Sequence, residues 1–157
     1  MEFKLVNKGE MTFTGFTKEF SSVYGKDYQE IPEFWGELFH NGDHELLVDD
    51  QDELGTVGIS YDWSEVEKSF QYMVGVRSDE DIPGAETVTF EPKTYAVFTV
   101  VGACPLSVQD AVDYIHEEFL PDGKYRHAGG PEIEVYPDGD ARDDEYVCYY
   151  WVPVVEK

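Results

Sequence analysis

Basic residues are scarce in this chain. Lys and Arg number 11 against 34 Asp and Glu, giving a formal net charge of −23 and a pI near 4.2. Phosphate binding needs a basic footprint, so this balance argues against a direct nucleic-acid role, and it works against docking on anionic membranes. The same field favours a cationic ligand or a basic protein partner. It also keeps a chain soluble, and it suits a salty cytoplasm. Cysteine is almost missing. Cys104 and Cys148 are the only two, with neither a CxxC nor a metal-like spacing, which reads as a reduced, cytoplasmic protein. Histidine is thin and scattered over His40, His44, His116 and His127. Only the first two stand four apart, and Asn41-Gly42 interrupts any helix between them, so no metal site is expected. No stretch resembles the apolar core of a signal peptide or approaches a membrane span.

What is present is a core. Hydrophobic residues make up 41% and aromatics 15% of 157 residues, too much for a disordered tail and suited to a single domain spanning 1–157. MTFTGFTKEF, from Met11, alternates as a strand, and Ser21 to Asp27 reads as a loop. IPEFWGELFH, from Ile31 to His40, places Ile31, Phe34, Trp35, Leu38 and Phe39 on one helical face, with Pro32 in the first turn and Asn41-Gly42 as the stop. HELLVDDQDEL is compatible with a short helix or a loop. GTVGISYDW and KSFQYMVGVRSD read as a hairpin. AETVTFEP and TYAVFTVVG are two further strands divided by Pro92. A second amphipathic helix opens at Pro105, buries Val108, Ala111, Val112, Ile115 and Phe119, and ends at Pro121-Asp122-Gly123. PEIEVYPDGD and EYVCYYWVPVV close the chain as strands around an acidic loop.

The element order strand, helix, strand, strand thus occurs twice, over about residues 11–79 and 85–155. A tandem βαββ duplication predicts an α+β fold: an antiparallel sheet with both main helices on one face and a concave site on the midline between the repeats. The acidic runs at 49–53, 79–81 and 138–145 read as solvated loops. The spacing of Asp138, Asp140, Asp143 and Asp144 does not follow an EF-hand.

With these elements laid out, the chain resembles the GyrI-like small-molecule-binding domain, the effector-binding module of bacterial drug-sensing regulators. IPEFWGEL resembles the family's first helix, GISYD followed by SFQYMVGV its first hairpin, and IPGAETVTFEPKTYAVFTVVG its link between repeats. FLPDGKYRHAGGPEIEVYPDGD and YYWVPVVEK resemble its closing strands. The resemblance implies an aromatic pocket between the repeats that takes lipophilic, often cationic, aromatic molecules on a buried acid. The matching acid is Glu134. Tyr149 matches a pocket tyrosine, and Trp35, Tyr61 and Tyr72 match ring-bearing positions of the first repeat. Trp151 shares a strand face with Tyr149 and should lie near it. From pattern alone, Glu134 is a solvent-facing residue of a half-buried strand, and Tyr61 with Tyr72 a cross-strand pair.

Three functions follow as expectations. The first is a stand-alone binding protein for amphipathic, cationic aromatic compounds without a cofactor, since no DNA-binding helical segment precedes the first strand. The second is a hydrolase of cyclopropane-type aromatic toxins with Glu134 as its carboxylate, although no nucleophile–base pair is visible. The third is an acidic protein-interaction partner of a topoisomerase kind. A haem relative of the fold exists, but no histidine here stands out as an axial ligand.

Overall fold

The computed structural model describes residues 1–157, Tyr24 by its backbone alone. Nine strands form in chain order: β1 (Phe3–Lys8), β2 (Met11–Ser21), β3 (Thr56–Ser64), β4 (Ser69–Arg77), β5 (Glu86–Phe90), β6 (Lys93–Val101), β7 (Tyr125–His127), β8 (Glu132–Tyr136) and β9 (Val147–Glu156). Between β2 and β3 lie α1 (Lys26–Asn41) and α2 (Asp43–Asp50). After β6 comes α3 (Leu106–Tyr114), which runs on through a π-helical turn (Ile115–Phe119) and a last turn (Leu120–Asp122). Among the described residues no helix is long and apolar enough to cross a membrane.

The strands pair antiparallel in the order β1-β6-β9-β8-β3-β4-β2-β5, with β7 beside the last residues of β9. Outward from the central β3/β8 pair, one side reads β3-β4-β2-β5 and the other β8-β9-β6-β1. The outer strands are exchanged: β1 pairs with β6 rather than with β2, its neighbour in the chain, and β5 pairs with β2 rather than with β6. Each half of the sheet is therefore closed by a strand from the other half.

Alternation along the strands assigns side chains to two faces. On one face, Ala96, Phe98 and Val100 of β6 and Tyr150, Val152 and Val154 of β9 bury against Val108, Ala111, Ile115 and Phe119 of the α3 segment. Phe16, Phe20, Tyr72 and Val74 of β2 and β4 bury against Phe34 and Leu38 of α1 and Leu47 of α2. Both helical layers thus cover the same face, as the α+β reading predicts. The cluster on the opposite face contains no helix residue. There the sheet curls until Val6 of β1 and Phe90 of β5 join one cluster with Phe13, Ile59, Ile133 and Trp151.

Several element bounds differ from the sequence reading. β1 adds a strand at residues 3–8, a pairing that only the partner strand β6 makes favourable. The segment expected as a loop up to Asp27 already turns into α1 at Lys26, so Pro32 sits inside the helix and not in its first turn. A proline has no N–H to give to the carbonyl four residues back. That carbonyl, on Tyr28, is satisfied instead by Gln109 Nε2 of α3 at 2.8 Å. The ambiguous HELLVDDQDEL segment forms α2, separated from α1 by Gly42 at φ 86°.

Two glycines give opposite expected outcomes. A methyl group on Gly15 would overlap the Val74 carbonyl and stand 2.6 Å from the Gly75 Cα across the β2/β4 pair, whereas Gly36, inside α1, has open space around it. In urea denaturation Gly15→Ala should cost about 2 kcal/mol or more through overpacking, and Gly36→Ala should add about 0.5–1 kcal/mol of stability through helix propensity.

Candidate functional site

A cavity of about 460 Å³ opens on the helix-covered face above the central β3/β8 pair. Small-molecule sites run to roughly 300–1,000 Å³. Its floor comes from β3, β8 and β9, one wall from α1 and α2, and the other from Cys104-Pro105, the start of α3 and the 137–141 loop. The helices α1 and α3 meet across it at two side-chain contacts. One is the Gln109–Tyr28 bond that Pro32 makes necessary. The other runs from the Tyr28 hydroxyl to Asp113 Oδ1 at 2.5 Å.

Glu134 sits in the floor. Register places Gly58, Glu134 and Tyr150 side by side on β3, β8 and β9. Because residue 58 carries no side chain, the Tyr72 hydroxyl reaches over it to Glu134. A Cβ there would overlap that hydroxyl and stand 2.7 Å from Glu134 Oε1. Oε1 accepts hydrogen bonds from Tyr72 at 2.9 Å and Tyr136 at 2.6 Å. Trp35 Nε1 donates to the Tyr72 oxygen at 2.9 Å, so the indole fixes the phenol that fixes the carboxylate. Both phenols converge on one oxygen. Glu134 Oε2 has no hydrogen-bond donor among the described residues, and the side chain borders the cavity.

Burial pushes the Glu134 carboxyl up, the Tyr136 and Tyr72 donors pull it down, and negative charge on Cys104 and Glu132 pushes it up again. The result is about 7, against an ordinary value of 4.5. Glu132, two residues away on the same strand face, is the opposite case. Burial raises it too, but it accepts from His116 Nε2 at 3.0 Å, His127 Nε2 at 3.1 Å and the Tyr150 hydroxyl at 2.7 Å, and these donors hold it at about 2. The Gly129 N–H donates to His127 Nδ1, which leaves the Nε2 proton of that ring for Glu132. Two carboxylates on one strand are thereby driven apart: one stays charged and satisfied, the other titrates near neutrality.

Rings complete the walls. Trp35 meets Tyr136 edge to face at 5.3 Å, and Phe39 stacks on His44 at 4.0 Å. Burial pushes the His44 imidazole down, so it adds no positive charge to the cavity at neutral pH. Of the residues expected from the sequence, Glu134 and Trp35 line the cavity, and Tyr72 lies beneath it as the partner of both. Tyr61, Tyr149 and Trp151 do not reach it. They belong to the cluster on the opposite face of the sheet, so in the YYW run it is Tyr150 that turns to the cavity. Trp151 does share the face of Tyr149, and that face lies away from the cavity. Tyr61 stands opposite Gln71 and not Tyr72, so the two tyrosines are not a cross-strand pair. Tyr136, Tyr150 and Cys104 also line the cavity. Tyr136 had a usable signal, since it stands two residues after Glu134 on a strand and so shares its face.

The raised carboxyl makes a stability prediction. Being raised, Glu134 contributes stability that is full below about 4.5 and is lost as pH rises through about 7. Glu134→Gln, which mimics the protonated group, should therefore gain on the parent protein between pH 5 and pH 8. Urea unfolding at the two pH values measures the gain, on the order of 3 kcal/mol at most. No change in the difference would mean that Glu134 keeps an ordinary carboxyl.

Known proteins share this fold. Among curated proteins none matches the chain. Solved structures do. SAV2435, in a structure bound to tetraphenylphosphonium, is 25% identical with a TM-score of 0.85 over 99% of this chain and 94% of that one. A protein described as a candidate bacterial transcription regulator from Staphylococcus aureus MU50 is 25% identical with a TM-score of 0.80, covering 98% of both chains. An integron cassette protein from the mobile metagenome of Vibrio cholerae, 14% identical, shares the fold with a TM-score of 0.74 over 98% of this chain and 95% of that one. The model of the GyrI-like small-molecule-binding domain matches residues 1–155, and the chain belongs to that family.

Proposed function

We propose that this protein binds amphipathic, cationic aromatic molecules in the cavity, with Glu134 as the counter-charge and Trp35, Tyr136 and Tyr150 as the surrounding rings. The observation that carries the reading is the carboxylate itself. It is half-buried in the cavity floor, has one oxygen saturated by two phenols, and has the other without a protein donor among the described residues. A partly desolvated, incompletely compensated carboxylate is disfavoured, and a ligand cation that closes over it supplies the missing partner. Ring faces add about 0.5–2 kcal/mol per well-placed cation–π contact without reading exact shape. The phenols donate their protons to Glu134, so they stiffen the acid without adding charge. The net charge of −23 and the acids at the rim, Asp27 and Asp138, attract cations toward the opening. The tetraphenylphosphonium held by SAV2435 is a ligand of this chemical class.

The test is a tryptophan-fluorescence titration with tetraphenylphosphonium beside the neutral triphenylphosphine oxide. Glu134→Gln should weaken the cation about tenfold or more, equal to about 1.4 kcal/mol, and leave the neutral compound within a factor of about two. Because a proton and the cation compete for the same carboxylate, affinity for the cation should rise about tenfold per pH unit up to about 7 and then level off. Equal losses for both ligands, or a flat pH profile, would show that shape rather than charge governs the site. Product analysis on the same samples separates binding from turnover, because a carboxyl near 7 also suits general-base chemistry. A stoichiometric end point is the expected result.

A further inference from the structure

The two oxygens of Glu134 stand in different surroundings. Oε1 accepts from the Tyr72 hydroxyl at 2.9 Å and from the Tyr136 hydroxyl at 2.6 Å. Trp35 Nε1 donates to the Tyr72 oxygen, which commits the proton of that phenol to Glu134. A proton added to the carboxyl therefore finds Oε1 already taken by two donors and goes to Oε2. Oε2 has no protein donor among the described residues. The fully buried side-chain polar atom that lacks a partner among those residues is the Tyr95 hydroxyl, in the cluster on the opposite face of the sheet. Oε2 is thus open to the cavity and not sealed beneath it.

The surroundings favour a proton there. Among the described residues no Lys or Arg lines the cavity. Glu132, on the same strand face, is a fixed negative charge, and the Nε2 atoms of His116 and His127 meet Glu132 rather than Glu134. Asp27 of α1, Asp138 after β8 and the Cys104 thiol before α3 add no positive charge. Burial pushes the His44 imidazole of α2 down, so it adds none either. The other phenols of the lining are engaged elsewhere: Tyr150 donates to Glu132, Tyr146 to the Pro137 carbonyl and Tyr28 to Asp113. Burial and the negative neighbours outweigh the two phenols that bond Glu134, and its carboxyl titrates at about 7.

We propose that Glu134 also serves the cavity as a hydrogen-bond donor: protonated on Oε2, it seats neutral aromatic acceptors such as diaryl ketones, N-oxides and phosphine oxides, with their oxygen on the carboxyl and their rings against Trp35, Tyr136 and Tyr150. This deepens the reading above and rests on the same cavity's taking aromatic molecules, but not on their being cations. One oxygen then serves two ligand classes. The carboxylate holds cations, the acid holds acceptors, and pH decides between them. Once the group ionises, Oε2 and the ligand oxygen are two acceptors face to face, and the acceptor class loses its bond. Glu134→Gln puts an amide NH2 where Oε2 stood while its carbonyl keeps both phenols, so that variant carries the donor at every pH.

The experiment compares benzophenone with diphenylmethane, two neutral compounds with the same rings, one with a carbonyl and one without. Both are titrated into the full chain by isothermal calorimetry between about pH 5.5 and about pH 8.5. At about pH 6 benzophenone should bind about fivefold more tightly, the net effect of one hydrogen bond. That advantage should fade as pH rises through about 7 and should persist throughout in Glu134→Gln. Diphenylmethane controls for the cost of covering an ionised group, which both compounds share. Equal affinities at low pH, an advantage that ignores pH in the parent protein, or one that fades equally in Glu134→Gln would each overturn the proposal. So would the absence of binding by either compound. Tetraphenylphosphonium is titrated over the same range. Cation affinity that rises with pH, beside neutral compounds that bind alike, overturns the donor role alone. A benzophenone advantage without cation binding overturns the cation reading alone.

Discussion

A half-buried carboxylate in the floor governs the rest of this cavity. Glu134 lies on the helix-covered face of a central strand, where partial burial disfavours the ionised form unless it is compensated. The compensation is partial and lopsided, with two phenols on one oxygen. Other features of the site serve that arrangement. Gly58 leaves the room in which Tyr72 and Glu134 meet, and Trp35 pins Tyr72. Glu132, satisfied by His116, His127 and Tyr150, sits next door as a fixed negative charge that helps raise its neighbour. The outcome is a group whose charge is decided near neutral pH, by a proton or by whatever else enters.

The frame around this acid is open in its middle by construction. Strand order runs outward from β3/β8 to both ends, and each half is closed by a strand from the other, so the sheet is tied together at its edges while the helices stay apart over its centre. Their polar contacts, through Tyr28 with Asp113 and Gln109, cross the cavity. Pro32 is the cause of one of them, because the carbonyl it leaves unbonded needs a donor from elsewhere. A residue that reads as a helix-start signal is used here as a fastening between two helices.

The limits of the sequence reading have physical causes. Helices and strands are legible where one face is apolar and the other polar, as in α3 and β5. In β9 both faces are buried: VCYYWVPVV carries rings on either side, and alternation then shows only that Tyr149 and Trp151 go together and Tyr150 goes apart. Which of the two faces meets the cavity depends on where the helices pack. That choice puts Tyr150 at the cavity and Tyr149, Trp151 and Tyr61 on the opposite face. Glu134 presents the reverse difficulty. In EIEVY it has the pattern of a solvent-facing residue, because polar alternation along a strand looks the same whether the polar face meets bulk water or an enclosed chamber.

Composition and periodicity by themselves determined the acidic character, the α+β class, the strand–helix–strand–strand order and the one-sided helix layer. These depend on local propensity and on periods of 2 and 3.6 residues, which neighbouring positions express together. Only the tertiary structure decided which tyrosines surround Glu134, that His116 and His127 converge on Glu132, and that Cys104 reaches the cavity wall while packing on the core cluster that holds Cys148. Those contacts join residues from different strands and helices, and they are set by strand register and helix docking, which no local stretch of sequence encodes.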